Sequence, residues 1–250
     1  MKFVGERRAL AAVIMAFYFL FYGVIAYSQV IPEFTKAFVA IAGVYGLAFF
    51  ALVAGYFWAR WYAVGVGLYG VITAAVGMWQ IGAEPVLLFV GGTHLAATIF
   101  LWGQAMSEPY DGQTAWRERF HMDENAVQRL GRSVIRAGIG LPIVLIYAFA
   151  PREPAQAILP LVVFGLAAFG LRGLIQLRTW GVLALGLAGG LMLALVGADI
   201  AAHGLGALAP HVVAGTRHVI VSHALAPLAG GLLIAAAAPF LAPIARFIAR

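Results

Sequence analysis

Residues 9–31 read ALAAVIMAFYFLFYGVIAYSQVI, a run of 23 residues without a charged side chain. A helix needs about 20 apolar residues to cross the hydrocarbon core of a bilayer. Lys2, Arg7 and Arg8 precede the run, which gives it some likeness to a signal peptide. The apolar core of a signal peptide has only about 7–15 residues. We therefore interpret this stretch as a retained first transmembrane span.

The rest of the chain has the same character. Of its 250 residues 63% are hydrophobic and only 10% are charged, with a mean hydropathy of +0.94. Soluble domains carry about 25% charged residues, so the composition predicts an all-α integral membrane protein. Cysteine is absent, which excludes disulfides, thiolate metal sites and a cysteine nucleophile. The 16 basic residues are scattered between apolar runs and form no continuous face for nucleic acid.

Apolar runs separated by polar breaks predict about eight transmembrane helices. The predicted spans lie near 9–31, 38–58, 62–82, 86–106, 134–150, 156–175, 180–198 and 216–241. An N-terminus in the cytoplasm places 13 of the 16 basic residues on the cytoplasmic side and leaves Lys36, Arg152 and Arg217 outside. The positive-inside rule therefore predicts that both termini are cytoplasmic. A composition rich in Ala, Gly and Arg is typical of GC-rich bacterial genomes, so we expect a bacterial inner membrane.

An internal repeat appears when the chain is compared with itself at an offset of 119 positions. Pro32 then meets Pro151, residues 46–50 meet 165–169, and Trp61 meets Trp180. The pattern predicts two tandem four-helix repeats, at 1–106 and 134–250, joined by a cytoplasmic linker at 107–133. Chance matches of Gly, Ala and Leu in so biased a chain are the alternative.

The linker contains a segment with an amphipathic pattern. Asp123 is a plausible N-cap, and the following residues place Arg129, Arg132 and Arg136 on one helical face. Val127 and Leu130 fall near another face. We expect an interfacial helix that touches anionic headgroups, with a solvated connector as the alternative.

Glycines concentrate in the predicted third and seventh spans, and we expect them to allow close helix packing. They are Gly65, Gly67, Gly70, Gly186, Gly189 and Gly190.

Histidines are the candidate ligands within the spans. His94 lies inside the fourth span, and its counterpart in the second half would be His218 or His223. Facing imidazoles of this kind could hold haem b or another metal, or could hydrogen-bond a quinone. The alternative is that each histidine bonds to a neighbouring helix.

His203 and His211 follow the seventh span in a region that also contains Asp199. Imidazole and carboxylate groups bind divalent metals such as zinc or copper. The spacings match no familiar ligand motif, so an ordinary polar loop is the alternative.

Three functions remain open at this stage. The scarcity of charge within the spans favours a non-catalytic subunit that packs against other membrane proteins in a larger complex. A small repeat-built transporter or channel is the first alternative, since such bundles often place a substrate between their halves. A haem- or quinone-binding redox subunit is the second. The G-x-S-x-G and H-E-x-x-H motifs are absent, so the sequence gives no support for hydrolase or zinc-protease chemistry, and a membrane enzyme of another kind is the remaining alternative.

Overall fold

The computed structural model describes residues 3–106, 110, 118, 123–150, 154–205, 210–212 and 219–248. Eight α-helices and one hairpin of two short antiparallel strands lie in this part of the chain. The elements are α1 (Val4–Ser28), α2 (Thr35–Ala54), α3 (Ala59–Ile81), α4 (Pro85–Leu101), α5 (Glu124–Phe149), α6 (Pro154–Ile175), α7 (Thr179–His203), β1 (Pro210–Val212), β2 (Val219–Ser222) and α8 (Ala226–Ile248).

Six of these helices are long and apolar enough to cross a membrane, namely α1, α2, α3, α5, α6 and α7. Helix α4 has 17 residues, and the apolar part of α8 covers Ala226–Leu241. At about 1.5 Å per residue, α4 is slightly shorter than the hydrocarbon core. The helical membrane class predicted from the sequence is therefore confirmed by length and composition.

Two boundaries differ from the prediction. The amphipathic segment and the fifth span form one continuous helix, α5, because the buried residues Val127, Leu130 and Val134 carry one apolar stripe across the expected break. Asp123 caps this helix as predicted, since its Oδ1 accepts a hydrogen bond of 2.6 Å from the Ala126 N–H. Helix α8 begins ten residues later than the predicted eighth span, at 226 instead of 216, because the β-branched run of β2 pairs with β1.

The chain forms two compact units, and their boundary falls within α5. The first unit contains residues 1–30 and 38–139, and the second contains 31–37 and 140–250. In the first unit α4 packs along α3 and against α1. In the second unit α7 packs against both α6 and α8. Much of the predicted linker at 107–133 lies outside the described residues, so that domain division stays a prediction.

Glycines allow the closest of these helix contacts, as predicted for Gly65, Gly67, Gly70 and Gly189, whereas a Cβ on Gly190 would meet nothing within 4 Å. A Cβ on Gly67 would overlap the Thr98 hydroxyl, and one on Gly65 would lie 2.6 Å from the Ile135 carbonyl oxygen. In the second unit a Cβ on Gly189 would lie 2.7 Å from the Gly230 carbonyl oxygen. Small residues let helix backbones approach in this way, and close approach strengthens van der Waals packing between membrane helices.

Two prolines lie inside helices that continue past them. Pro142 is within α5 and Pro160 is within α6. A proline removes one backbone hydrogen bond but need not end a membrane helix. Neither helix has the unwound segment that many transporters place at the membrane midplane.

Candidate functional site

His94 is the central residue of a buried polar cluster in the first unit. It lies near the middle of α4, and its side chain is completely buried. Its Nδ1 lies 2.8 Å from the Val90 carbonyl oxygen, which can only accept a hydrogen bond. A neutral imidazole with its proton on Nδ1 then offers Nε2 as an acceptor. The Tyr45 hydroxyl, 2.6 Å away, donates to that nitrogen.

A second hydrogen-bonded pair lies beside the first. The Tyr18 hydroxyl of α1 is 2.6 Å from the Thr93 Oγ1 of α4. The Thr93 hydroxyl lies 2.8 Å from the Phe89 carbonyl oxygen, so it donates there and accepts from Tyr18. The Tyr18 ring also covers the imidazole, with 4.2 Å between the ring centroids of Tyr18 and His94. Three helices, α1, α2 and α4, are thereby joined by side-chain hydrogen bonds.

Aromatic stacking extends the cluster away from the histidine. The Tyr45 ring stacks on Tyr18 at 5.2 Å and on Tyr22 at 5.6 Å, measured between centroids. Phe38 stacks on the other side of Tyr22 at 6.2 Å. We call Tyr18, Tyr22, Tyr45, Thr93 and His94 the Tyr–His cluster. Offset stacking of this kind adds stability beyond the apolar area that each ring buries.

Helix α3 closes the cluster on its remaining side. A Cβ on Gly70 would overlap the imidazole of His94, so only glycine permits the observed approach of α3 to α4. One turn further along α4, the Thr98 hydroxyl donates to the His94 carbonyl oxygen over 2.9 Å. The predicted packing role of Gly67 and Gly70 is therefore specific: these residues make room for Thr98 and His94.

The chemistry open to this arrangement follows from its hydrogen bonds. Both ring nitrogens of His94 already take part in hydrogen bonds, Nδ1 with the Val90 carbonyl and Nε2 with the Tyr45 hydroxyl. A metal would reach the Nε2 lone pair only after displacement of Tyr45, and a quinone carbonyl, which is itself an acceptor, would also require the proton of His94 on Nε2 instead of Nδ1. The Nδ1 contact with a backbone carbonyl is the kind of support that orients metal-binding histidines. The cluster as it stands serves to join helices, and its Nε2 is the atom through which a ligand would bind.

Neither predicted partner of His94 is among the described residues of the first unit. His218 lies outside the described residues, and His223 lies in a short 3-10 turn before α8, within the second unit. Gly189, the counterpart of Gly70 at the repeat offset, faces Gly230 and Ile234 on α8. Pairing of His94 with either histidine, and haem or quinone binding by the pair, stay predictions.

The predicted metal ligands lie in the second unit. His203 is exposed at the end of α7, with its Nδ1 3.2 Å from the Asp199 carbonyl oxygen. The Asp199 carboxylate instead accepts a hydrogen bond of 3.1 Å from the Tyr147 hydroxyl. His211 lies in β1. Among the residues that the structure describes, no three histidine or acidic side chains converge in a metal-binding group. A divalent metal at His203 and His211 stays a prediction.

Arg7 and Arg8 have a role that the sequence did not reveal. The Arg7 Nη2 donates to the carbonyl oxygens of Ile99 at 3.0 Å and Trp102 at 2.6 Å, at the end of α4. The Arg8 guanidinium donates to Leu52 and Val53 at the end of α2, over 2.7–3.1 Å. The last carbonyls of a helix lack partners within the helix and carry partial negative charge. The two arginines therefore cap α4 and α2, and they place the start of α1 beside the ends of both.

Tyr110 lies next to this capping group. Its ring is buried, and the Arg8 guanidinium carbon is 5.1 Å from its centroid, a cation–π distance. Burial raises the pKa of the Tyr110 hydroxyl above its ordinary value, although the positive charges of Arg8 and Arg60 act in the opposite direction. The phenol is therefore neutral at physiological pH.

Comparisons with family models, curated proteins and solved structures find no match to this chain.

Proposed function

We propose that this chain is a non-catalytic subunit of a larger membrane complex in a bacterial inner membrane, with partner helices docking on α7. The main support for this proposal is the outward face of α7, which is formed by Gly190, Ala194, Gly197 and Ala201. All four residues are exposed, and a Cβ on Gly190 or Gly197 would meet nothing within 4 Å. The spacing of four residues within 190–194 and 197–201 matches the small-xxx-small pattern through which membrane helices associate.

The distribution of charge supports the non-catalytic part of the proposal. Within the described helices, acidic, basic and imidazole groups lie within about two turns of a helix end, apart from Arg132 and Arg136 of α5, and His94 lies in the middle of the short helix α4. Charged groups deep in a membrane mark ion pathways and reactive sites, because burying them is costly. The one deep imidazole is engaged by Tyr45 and Val90. A structural role accounts for these polar groups without a substrate.

The tandem-repeat arrangement is part of the same proposal. Helices α1 and α5 begin at residues 4 and 124, α2 and α6 at 35 and 154, and α3 and α7 at 59 and 179. Each pair is separated by 119 or 120 positions, which agrees with the sequence offset. Gly70 and Gly189 have equivalent contacts, since each places the third helix of its half against the fourth. A repeat with an even number of spans keeps its orientation, so both termini lie on the same side, and the positive-inside rule favours the cytoplasm as that side.

Orientation is testable because the chain lacks cysteine. Single cysteines at Arg60 and Arg178 would be labelled with a membrane-impermeant maleimide in inside-out and right-side-out vesicles. Labelling of both sites only in inside-out vesicles supports cytoplasmic loops between α2 and α3 and between α6 and α7. Labelling of both sites from the outer face would overturn the cytoplasmic placement of the termini, and labelling of the two sites from opposite faces would overturn the repeat.

The subunit role is tested by native purification of a tagged chain in mild detergent. We expect stoichiometric partner proteins that are lost in Gly190→Leu, because a bulky side chain blocks the small-residue face of α7. Gly165→Leu is the matched control, since Gly165 on α6 also has open space around it. Purification of the unchanged chain alone, as one monodisperse species without partners, would contradict the proposal.

A haem- or quinone-binding redox subunit is the second candidate, and the geometry of His94 favours it. The Val90 carbonyl orients its imidazole, and Nε2 accepts a hydrogen bond from the Tyr45 hydroxyl, which a ligand would have to displace. An absorption spectrum of the purified protein and extraction of bound quinone provide the test. Absence of both a Soret band and a quinone would remove this candidate.

A further inference from the structure

A cavity of about 370 Å³ opens in the first unit, apart from the Tyr–His cluster. It lies between the start of α3, the end of α4 and the first turns of α5. Arg7 and Arg8, at the start of α1, bind the ends of α4 and α2. The starts of α1, α3 and α5 therefore lie at the same end of the first unit. Helix ends are the level at which lipid headgroups meet a membrane protein.

The cavity wall carries two arginines from different helices. Arg60 comes from the first turn of α3 and is half-buried, whereas Arg132 of α5 is exposed. The Arg132 Nη2 lies 3.4 Å from the Gln128 Oε1, a long contact that leaves most of its donors for other partners. Among the described residues that line the cavity, Glu124 is the one acidic residue, so their side chains carry an excess of positive charge. Arginine donors match the oxygens of a phosphate group.

Aromatic and apolar residues also line the cavity, and some of the aliphatic ones lie deeper than the arginines. The exposed Trp102 indole stands at the end of α4, and Trp61 is buried against Gly131 of α5. Val64 and Ile135, about one turn deeper than the arginines, form an apolar wall. A free phosphate would use only the charged part. A phospholipid would use both parts, with its phosphate at the arginines and its glycerol and first methylenes at the apolar wall.

We propose that this cavity binds the headgroup of an anionic phospholipid, with Arg60 and Arg132 holding the phosphate and with Val64 and Ile135 facing the glycerol end. Gly131 is part of the site, because a Cβ there would lie 2.8 Å from the Trp61 ring and displace it. The site does not depend on a partner subunit, so it stands or falls separately from the proposed function.

Native mass spectrometry of the full chain, delipidated and then titrated with phosphatidylglycerol, tests the proposal. We expect one tightly bound lipid, whose apparent Kd rises roughly tenfold in Arg132→Gln, since a charge-assisted hydrogen bond is lost. Arg129→Gln is the matched control. Arg129 lies on the same helix and is exposed, and its Nε is 3.2 Å from the Asn125 carbonyl oxygen, but it does not line the cavity. Arg132→Lys, which keeps the charge, should lose less affinity than Arg132→Gln.

Three results would overturn the assignment. Equal losses in Arg132→Gln and Arg129→Gln would mean that the whole basic surface, and not this cavity, attracts the lipid. Equal affinity for phosphatidylcholine would remove the role of net anionic charge. Complete displacement of the lipid by millimolar inorganic phosphate would assign the arginines to a free anion instead.

Discussion

The hydrogen bond between Tyr45 and His94 makes a quantitative prediction for Tyr45→Phe. Both side chains are completely buried, and 2.6 Å separates the hydroxyl oxygen from Nε2. Phenylalanine keeps the ring and its stacking on Tyr18 and Tyr22, so the substitution removes little beyond the hydroxyl. The imidazole then has a buried acceptor without a donor.

The expected decrease in the free energy of unfolding follows from two ranges of hydrogen-bond energies. A buried unsatisfied acceptor costs about 1–3 kcal/mol. Side-chain hydrogen bonds between membrane helices average about 0.6 kcal/mol and reach about 1.7 kcal/mol. This bond is short and excluded from lipid, so we place it in the upper part of the second range. We predict that Tyr45→Phe lowers the free energy of unfolding by about 1–2 kcal/mol.

Equilibrium unfolding in mixtures of mild detergent and sodium dodecyl sulfate, followed by helical circular dichroism, measures this loss. Tyr27→Phe is the control, because the Tyr27 side chain is 91% exposed and its loss should be below about 0.5 kcal/mol. A double-mutant cycle with His94→Leu should show a coupling of about 1 kcal/mol between the two residues. Equal stability of Tyr45→Phe and Tyr27→Phe, or a coupling near zero, would refute the structural role of the cluster.

Three further substitutions test other contacts. Gly70→Ala should lower the free energy of unfolding by about 1–3 kcal/mol, because its methyl group would overlap the imidazole of His94. Gly92→Ala is the control in the same assay and should be neutral or slightly stabilising, because a Cβ there meets open space. Arg8→Gln should speed hydrogen exchange at the last turn of α2, because three hydrogen bonds to its carbonyls are lost; unchanged exchange there would show that the cap is dispensable. Tyr147→Phe should lower the free energy of unfolding by less than about 1 kcal/mol, because Asp199 is only half-buried at a helix end and its carboxylate regains water. A larger decrease in the free energy of unfolding would mean that this carboxylate is buried in the membrane.

Some local features were predictable because they depend on neighbours in sequence. The Asp123 cap involves residues three positions apart, and the stripe of Val127 and Leu130 repeats with the helical period. The packing glycines were also expected, since small residues in a membrane helix have few other uses. The boundary predicted at 133/134 between the amphipathic segment and the fifth span lies within α5, because a polar outer face does not interrupt a helix whose inner face stays apolar.

The partners of His94 could not be predicted from the sequence. Tyr45 and Tyr18 lie 49 and 76 residues away, on helices whose rotation about their own axes is unknown until they pack. A signal was nevertheless present, because Tyr18 and Tyr22 are four residues apart and share one face of α1. Tyrosine in a membrane helix is often found at the membrane interface, so its presence alone does not indicate a hydroxyl aimed into the bundle.

What the sequence by itself determined is the class of the protein and the approximate position of its helices, because length, hydropathy and period act within one segment at a time. The tertiary structure decided which polar atoms meet: Arg7 and Arg8, expected only to orient the chain, cap two other helices, and the Nε2 of His94 accepts a hydrogen bond from Tyr45. The physical reason is that hydrocarbon offers no water to a polar group, so each must find its partner within the protein. Where that partner is on another helix, as for Tyr45 and His94, sequence spacing does not encode the choice.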